Sequence, residues 1–178
     1  MTKRNARPVL ITFLCAFPLA APIHSATTVT SAVSVSIASF CVMAVTSSSV
    51  SLTILNPAVA GSIPADATSS TTYAQYSSTV AAGVTRRITA AWAIGNSAPV
   101  GCDLRLTATP PTGKGSSAGE IILSTTAQNI VTGIGGCATG TGSGNGAQLG
   151  YKLKINTMTS LVANESKSAT ITLTLTDS

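Results

Sequence analysis

Acid–base and nucleophilic catalysis need side chains that titrate or attack near neutral pH, and this sequence is poor in them. Its one histidine, His24, lies near the N-terminus. Beyond it, no Ser-His-Asp or Cys-His arrangement and no His-bearing zinc site can be assembled. The carboxylates Asp66, Asp103, Glu120, Glu165 and Asp177 are scattered. A glycosidase needs two carboxylates on opposite sides of one bond, and a calcium loop needs several close together; no Asp-x-Asp spacing occurs. Asp103 and Asp177 read as solvated strand ends. The run from Gly140 to Gly146 lacks both the Lys-Ser/Thr ending and the Gly-x-Gly-x-x-Gly spacing of phosphate loops, and a strand pattern follows it. It reads as a hairpin or surface loop, as does Gly113-Lys114-Gly115. Trp92 shares a strand face with Ile88, Ala90 and Ile94 and reads as a core ring. Tyr73 and Tyr76, three apart, would face opposite sides of a strand, which argues against a paired stacking platform. Arg86-Arg87 reads as a solvated strand start that discourages edge pairing. The sequence therefore points to a non-enzymatic chain with no cofactor, no catalytic residue and no metal site.

Thiols are the remaining reactive groups: Cys15, Cys41, Cys102 and Cys137. Cys15 sits within an N-terminal apolar run and lacks the preceding small-residue pattern of a lipid anchor. Of the other three, Cys102 and Cys137 each adjoin a strand edge and a Gly-containing turn, and their pairing is expected, with Cys41 to Cys102 as its rival. Closing the loop from 102 to 137 would contribute roughly 4 kcal/mol in the chain-entropy model.

An oxidising compartment is expected because Lys3, Arg4 and Arg7 precede an apolar run from Val9 to Ala21. That is the charged and apolar architecture of a secretory signal. The run falls short of the ~20 residues of a membrane-spanning helix, and no later stretch is long enough. Residues 1–26 are expected to be the signal peptide, with cleavage after Ala26, and residues 27–178 one domain. Within 27–178 the basic residues are Arg86, Arg87, Arg105, Lys114, Lys152, Lys154 and Lys167 against five acids, a net charge of +2. No cluster forms the basic stripe that a nucleic-acid binder needs.

The elements that would position these residues are strands. Apolar residues fall on alternate positions at Val33, Val35, Ile37; at Val50, Leu52, Ile54; at Ile88, Ala90, Trp92, Ile94; and at Cys102, Leu104, Leu106, Ala108. The same period recurs at Leu149, Tyr151, Leu153, Ile155 and at Ala169, Ile171, Leu173, Leu175, with Ile121 to Leu123 a shorter run. Period two means one buried and one wet face. The turn signals between, such as Asn56-Pro57, Gly95-Asn96 and Pro110-Pro111, complete the pattern of a single all-β, immunoglobulin-like antiparallel sandwich. Its core is expected to contain Ile88, Trp92, Leu104, Leu106, Leu153, Ile171 and Leu173.

Several of these features together resemble bacterial spore-coat-U-like and fimbrial subunits: the signal segment, the alternating start from Thr27 to Ile37, the early Cys41, the Cys102-Asp-Leu-Arg-Leu opening, the Leu149-Gly150-Tyr151 strand and the closing strand from Thr170 to Leu175. The resemblance implies a secreted β-sandwich that assembles outside the cell, some members lending an N-terminal strand to a neighbour. This chain departs from the family pattern in its extra cysteine, its long Gly-rich loop and its lack of an Asn-Phe-Gly-type motif. The leading expectation is a non-catalytic structural subunit of a cell-surface or fimbrial-type assembly that pairs with itself or with related subunits. The alternative is a secreted monomeric module binding a glycan or cell-envelope polymer. In the first reading residues 27–38 are either a donated strand, with Val29, Val33, Val35 and Ile37 on one face, or the first strand of their own domain.

Overall fold

In the computed structural model the described residues are 26–178. Apart from Ala26, the expected signal peptide lies outside them, as does Cys15. The chain divides into a unit ending at Ser36 and a unit spanning Ile37–Ser178. Residues 26–39 carry no strand.

Among the described residues there are ten strands and no α-helix: β1 Phe40–Val45, β2 Ala67–Thr79, β3 Arg86–Trp92, β4 Cys102–Thr109, β5 Ser116–Ser117, β6 Glu120–Ile122, β7 Gln128–Ile134, β8 Cys137–Ala138, β9 Ala147–Ile155 and β10 Ile171–Asp177. They form two antiparallel sheets. One has the order β1-β2-β9-β4-β6, with β8 also on β2; the other runs β10-β3-β7-β5. The described residues are all-β, in keeping with their period-two pattern. No helix among the described residues is long and apolar enough to cross a membrane.

Both sheets turn alternate residues onto a shared core. From the first sheet come Thr72, Ala74, Tyr76 and Ser78 of β2, Leu106 and Ala108 of β4, and Ala147, Leu149, Tyr151 and Leu153 of β9; the second supplies Ile88, Ala90, Ile130, Val131 and Ile134. Ile130 and Val131 are adjacent yet both buried, because the β3–β7 register shifts between Ile88 and Thr89, and such a bulge turns consecutive residues the same way. Trp92, Leu104, Ile171 and Leu173 pack against the core from partly buried positions. Alanines at four central positions let the sheets approach and leave little tolerance for added bulk. Tyr76 faces inward and Tyr73 does not.

Two alternating stretches behave differently from the sequence reading. Residues 33–37 are not a strand. Residues 50–54 carry none either, although Val50 and Leu52 pack against the core. Apolar alternation reports which way side chains face, whereas a strand also needs a hydrogen-bonding neighbour. Conversely, Ala67–Thr79 forms the longest strand, its inward face partly made of Thr72 and Ser78.

Two predictions follow from the packing. Gly146 has φ +111°, and a Cβ there would collide with the Ala74 carbonyl and lie 3.0 Å from the Gln75 nitrogen. Gly146→Ala should lower unfolding free energy by about 3 kcal/mol in urea titrations. The Tyr76 hydroxyl donates to the Lys114 carbonyl at 2.6 Å, and burial, aided by the nearby Cys137, pushes its pKa from 10.0 to about 12. A raised folded-state value leaves its contribution intact below pH 10 and removes it as pH climbs through about 12. The urea midpoint should fall across that window, and less steeply in Tyr76→Phe; Tyr151, also pushed up by burial, accounts for part of the remaining slope.

Candidate functional site

Each sheet has two edges, and they are unequal. β5 and β6 end their sheets with two and three residues, too short to template another chain. β1 has six residues and β10 seven, and β10, Ile-Thr-Leu-Thr-Leu-Thr-Asp, carries no lysine, proline or bulge to blunt it.

The side chains on these two edges are incompletely covered. In the β1–β2 register Cys41 opposes Ser78, Met43 opposes Tyr76 and Val45 opposes Ala74. Directly paired residues share a face. The β2 members are 0–3% exposed, while Val45 is 45% exposed and Cys41 is exposed as well. Thus the interior face of the first sheet lies open along β1. On β10, Ile171, Leu173 and Leu175 oppose Trp92, Ala90 and Ile88; Ala90 and Ile88 are fully buried, and the three β10 residues only partly. Val50 and Leu52 join the same margin of the core. These residues line an apolar site along β1 and β10, bounded by unpaired backbone.

One end of that site is tied by a buried cation. Arg86 is 7% exposed. Its Nε donates to Asp177 Oδ1 at 2.7 Å, its Nη1 to the Phe40 carbonyl at 2.5 Å and to Ser78 Oγ at 3.4 Å, and its Nη2 to Ser39 Oγ at 2.9 Å. It joins the last residue of β10 to the first of β1 across the two sheets. This overturns its reading as a solvated strand start. A buried guanidinium is tolerated because its donors are matched.

Of the residues proposed for self-assembly, Val29, Val33, Val35 and Ile37 are 80–88% exposed and in no strand. Missed by sequence reasoning were Met43, Val45 and Arg86. The Phe40–Val45 run is apolar on both faces and shows no alternation, and Arg86 gains its meaning only from Asp177, its register partner 91 positions away.

Neither expected disulfide is formed: Cys41, Cys102 and Cys137 are free thiols. Cys102 pairs with Ile155, two residues beyond the Leu153–Ala67 level, whereas Cys137 and Cys41 both pair with Ser78. At ~3.3 Å per residue those levels are roughly 40 Å apart along the sheet. A disulfide needs Cα atoms within about 7 Å. Cys41 and Cys137 flank Ser78 from opposite sides, two strand spacings or roughly 10 Å apart, also too far. Peptide mapping without reduction should recover three unlinked cysteines. Maleimide should label exposed Cys41 first; burial raises the pKa of both Cys102 and Cys137, depleting their reactive thiolates.

Two surface depressions, one lined by residues including Ser51, Leu52, Leu55, Ile63 and Asp66, the other by Thr46, Thr71, Gln75, Gly142 and Ser143, carry no aromatic side chain. No protein-family profile, curated protein or solved structure matches the chain.

Proposed function

We propose that the chain is a non-catalytic structural subunit of an extracellular, fimbrial-type surface assembly, in which residues 27–37 of one copy lie as an added strand along β10 of the next. The observation that carries this reading is a match between two surfaces of one sequence. Val29, Val33, Val35 and Ile37 keep one parity and stand exposed, while β10 presents unpaired backbone beside half-covered Ile171, Leu173 and Leu175. Backbone hydrogen bonds would supply affinity and the alternate side chains would fill the open margin of the core. Each such side chain gains roughly 1.5–3 kcal/mol on full burial, less the cost of ordering the segment.

On this reading the two sheets are an immunoglobulin-like sandwich short of one edge strand, and the N-terminal signal exports the chain to where assembly occurs. The resemblance to spore-coat-U-like and fimbrial subunits points the same way. A glycan-binding module gains no support from the depressions described.

The test separates donor from acceptor. Val33→Asp with Val35→Asp removes the donor ridge, and Leu173→Pro spoils the acceptor while keeping an apolar side chain: Thr170 and Ser178 bond toward β3, so the Leu173 amide faces the open edge. Each variant should remain folded by circular dichroism and run as a monomer on a sizing column where the unaltered chain forms larger species. Mixing the two should produce dimers and nothing larger, since one good donor and one good acceptor remain. A donor variant that still assembles overturns the proposal, and so does one that unfolds, because the segment would then belong to its own chain's core.

A further inference from the structure

Loops from three distant parts of the chain meet at one end of the fold. The first sheet brings there the start of β2, the end of β9 and the start of β4, through the Ala67–Leu153 and Cys102–Ile155 pairs. The second brings the end of β3 and the start of β10, through Trp92–Ile171. Residues 93–101 and 156–170, which leave these strand ends, are bonded together: the Asn156 and Thr157 amides donate to the Gly101 carbonyl at 2.8 and 3.1 Å, and the Ala93 amide to the Thr170 carbonyl at 2.9 Å. Residues 46–66 join through Asp66, whose Oδ1 accepts from the Ile155 amide at 2.9 Å. Leu55 and Ile63 line one depression with Asp66 and Ala67.

These loops are alike in what they lack. Residues 46–65, 93–101 and 156–164 carry no charged side chain and no aromatic one. They set out Leu55, Val59, Ile63, Ile94, Val100 and Val162, each 55–93% exposed. Their turns are closed internally: the Ser62 amide donates to the Val59 carbonyl, Asn96 to Ala93, Cys102 to Pro99 and Leu161 to Met158, all at 3.0–3.2 Å. Water can leave such turns without stranding those donors. The lysines behind them are matched by acids. Lys152 pairs with Asp66 at 3.5 Å and Lys167 with Glu165 at 3.4 Å, while Lys154 opposes Asp103 in the β4–β9 register.

We propose that this end of the fold is a lipid-contacting surface whose aliphatic loop tips enter the headgroup boundary of a neutral phospholipid bilayer. A protein partner packs as densely as an interior and needs a shaped, continuous patch. Here the side chains stand on separate loops, and Ile94, the most exposed of them, has almost no neighbour to form one with. A bilayer boundary takes such side chains singly, and the burial of apolar area supplies the affinity. Matched lysines leave no excess positive charge for anionic headgroups. Zwitterionic phosphatidylcholine is therefore the fitting lipid, and salt should not weaken the contact. The tips lie on end loops and not on the edges of β1 and β10, so this inference does not rest on the donor reading.

The experiment reads where the chain touches lipid. A nitrobenzoxadiazole label is placed at Ile94→Cys, or at Val84→Cys in the turn before β3 at the opposite end, in the full chain carrying Cys15→Ser and Cys41→Ser. On phosphatidylcholine vesicles the label at position 94 should brighten several-fold and be quenched by bromines on the acyl chains, equally in about 0.05 and about 0.5 M salt. The label at position 84 should do neither. Leu55→Ser with Val162→Ser should weaken the vesicle titration of the label at 94 about tenfold for each side chain removed. Val33→Asp with Val35→Asp should leave that titration unchanged, which separates the loop tips from the exposed segment at 27–37. A label at 94 that stays in water overturns the inference, as does insertion that the higher salt abolishes. Dispersal of lipid-free oligomers by the two serine substitutions also overturns it, because this end would then be an interface between copies.

Discussion

An interior face has to be covered along its whole length, and in this protein the covering stops at β1 and β10. The central strands meet the requirement: Ala74, Ala90, Ala108 and Ala147 are sealed between the sheets. At the two long edges the same faces continue outward through Met43 and Val45 on one side and Leu173 and Leu175 on the other, with too little chain above them. The proposed assembly rests on that shortfall, and Arg86 supplies a fixed point where the two edges meet.

Charge placement follows the same geometry. The described ion pairs mostly lie on outward surfaces, such as Arg105 with Glu120 at 2.8 Å and Asp103 at 3.5 Å, where solvent screens them. Arg86 is the exception, set where three strands begin or end and where backbone oxygens and hydroxyls were in any case short of partners. Its pairing with Asp177 leaves the carboxylate largely in water, so only one of the two ions pays the full desolvation cost. The buried Nε of neighbouring Arg87 has no partner among the described residues, and nothing in the fold accounts for it.

How much of this was legible in the sequence depends on what period two can report. It marks facing, so β3, β4, β9 and β10 were readable from their alternating Ile, Leu and Ala. It was silent on β2, where Thr and Ser occupy interior positions, and on β7, where bulges break the alternation. It overstated residues 50–54, whose side chains face the core while their backbone has no strand beside it. Cysteine pairing and the role of Arg86 were unreadable for a shared reason. Both depend on the level at which strands align, and sequence spacing does not encode level when β2 reaches β9 across some eighty residues.

The brevity of β5 and β6 has a consequence of its own. An array joined only by a donated segment along β10, as proposed above, has a valence of two, one contact giving and one receiving, and these are different surfaces. Such a heterologous joint does not close on itself unless its rotation happens to do so. On the proposed donor reading the object built would be a directional thread whose two tips are chemically distinct: one tip would end in a bare groove, the other in an alternating segment. On that reading the short edges β5 and β6 offer a branch nowhere to start, and length is set by supply alone.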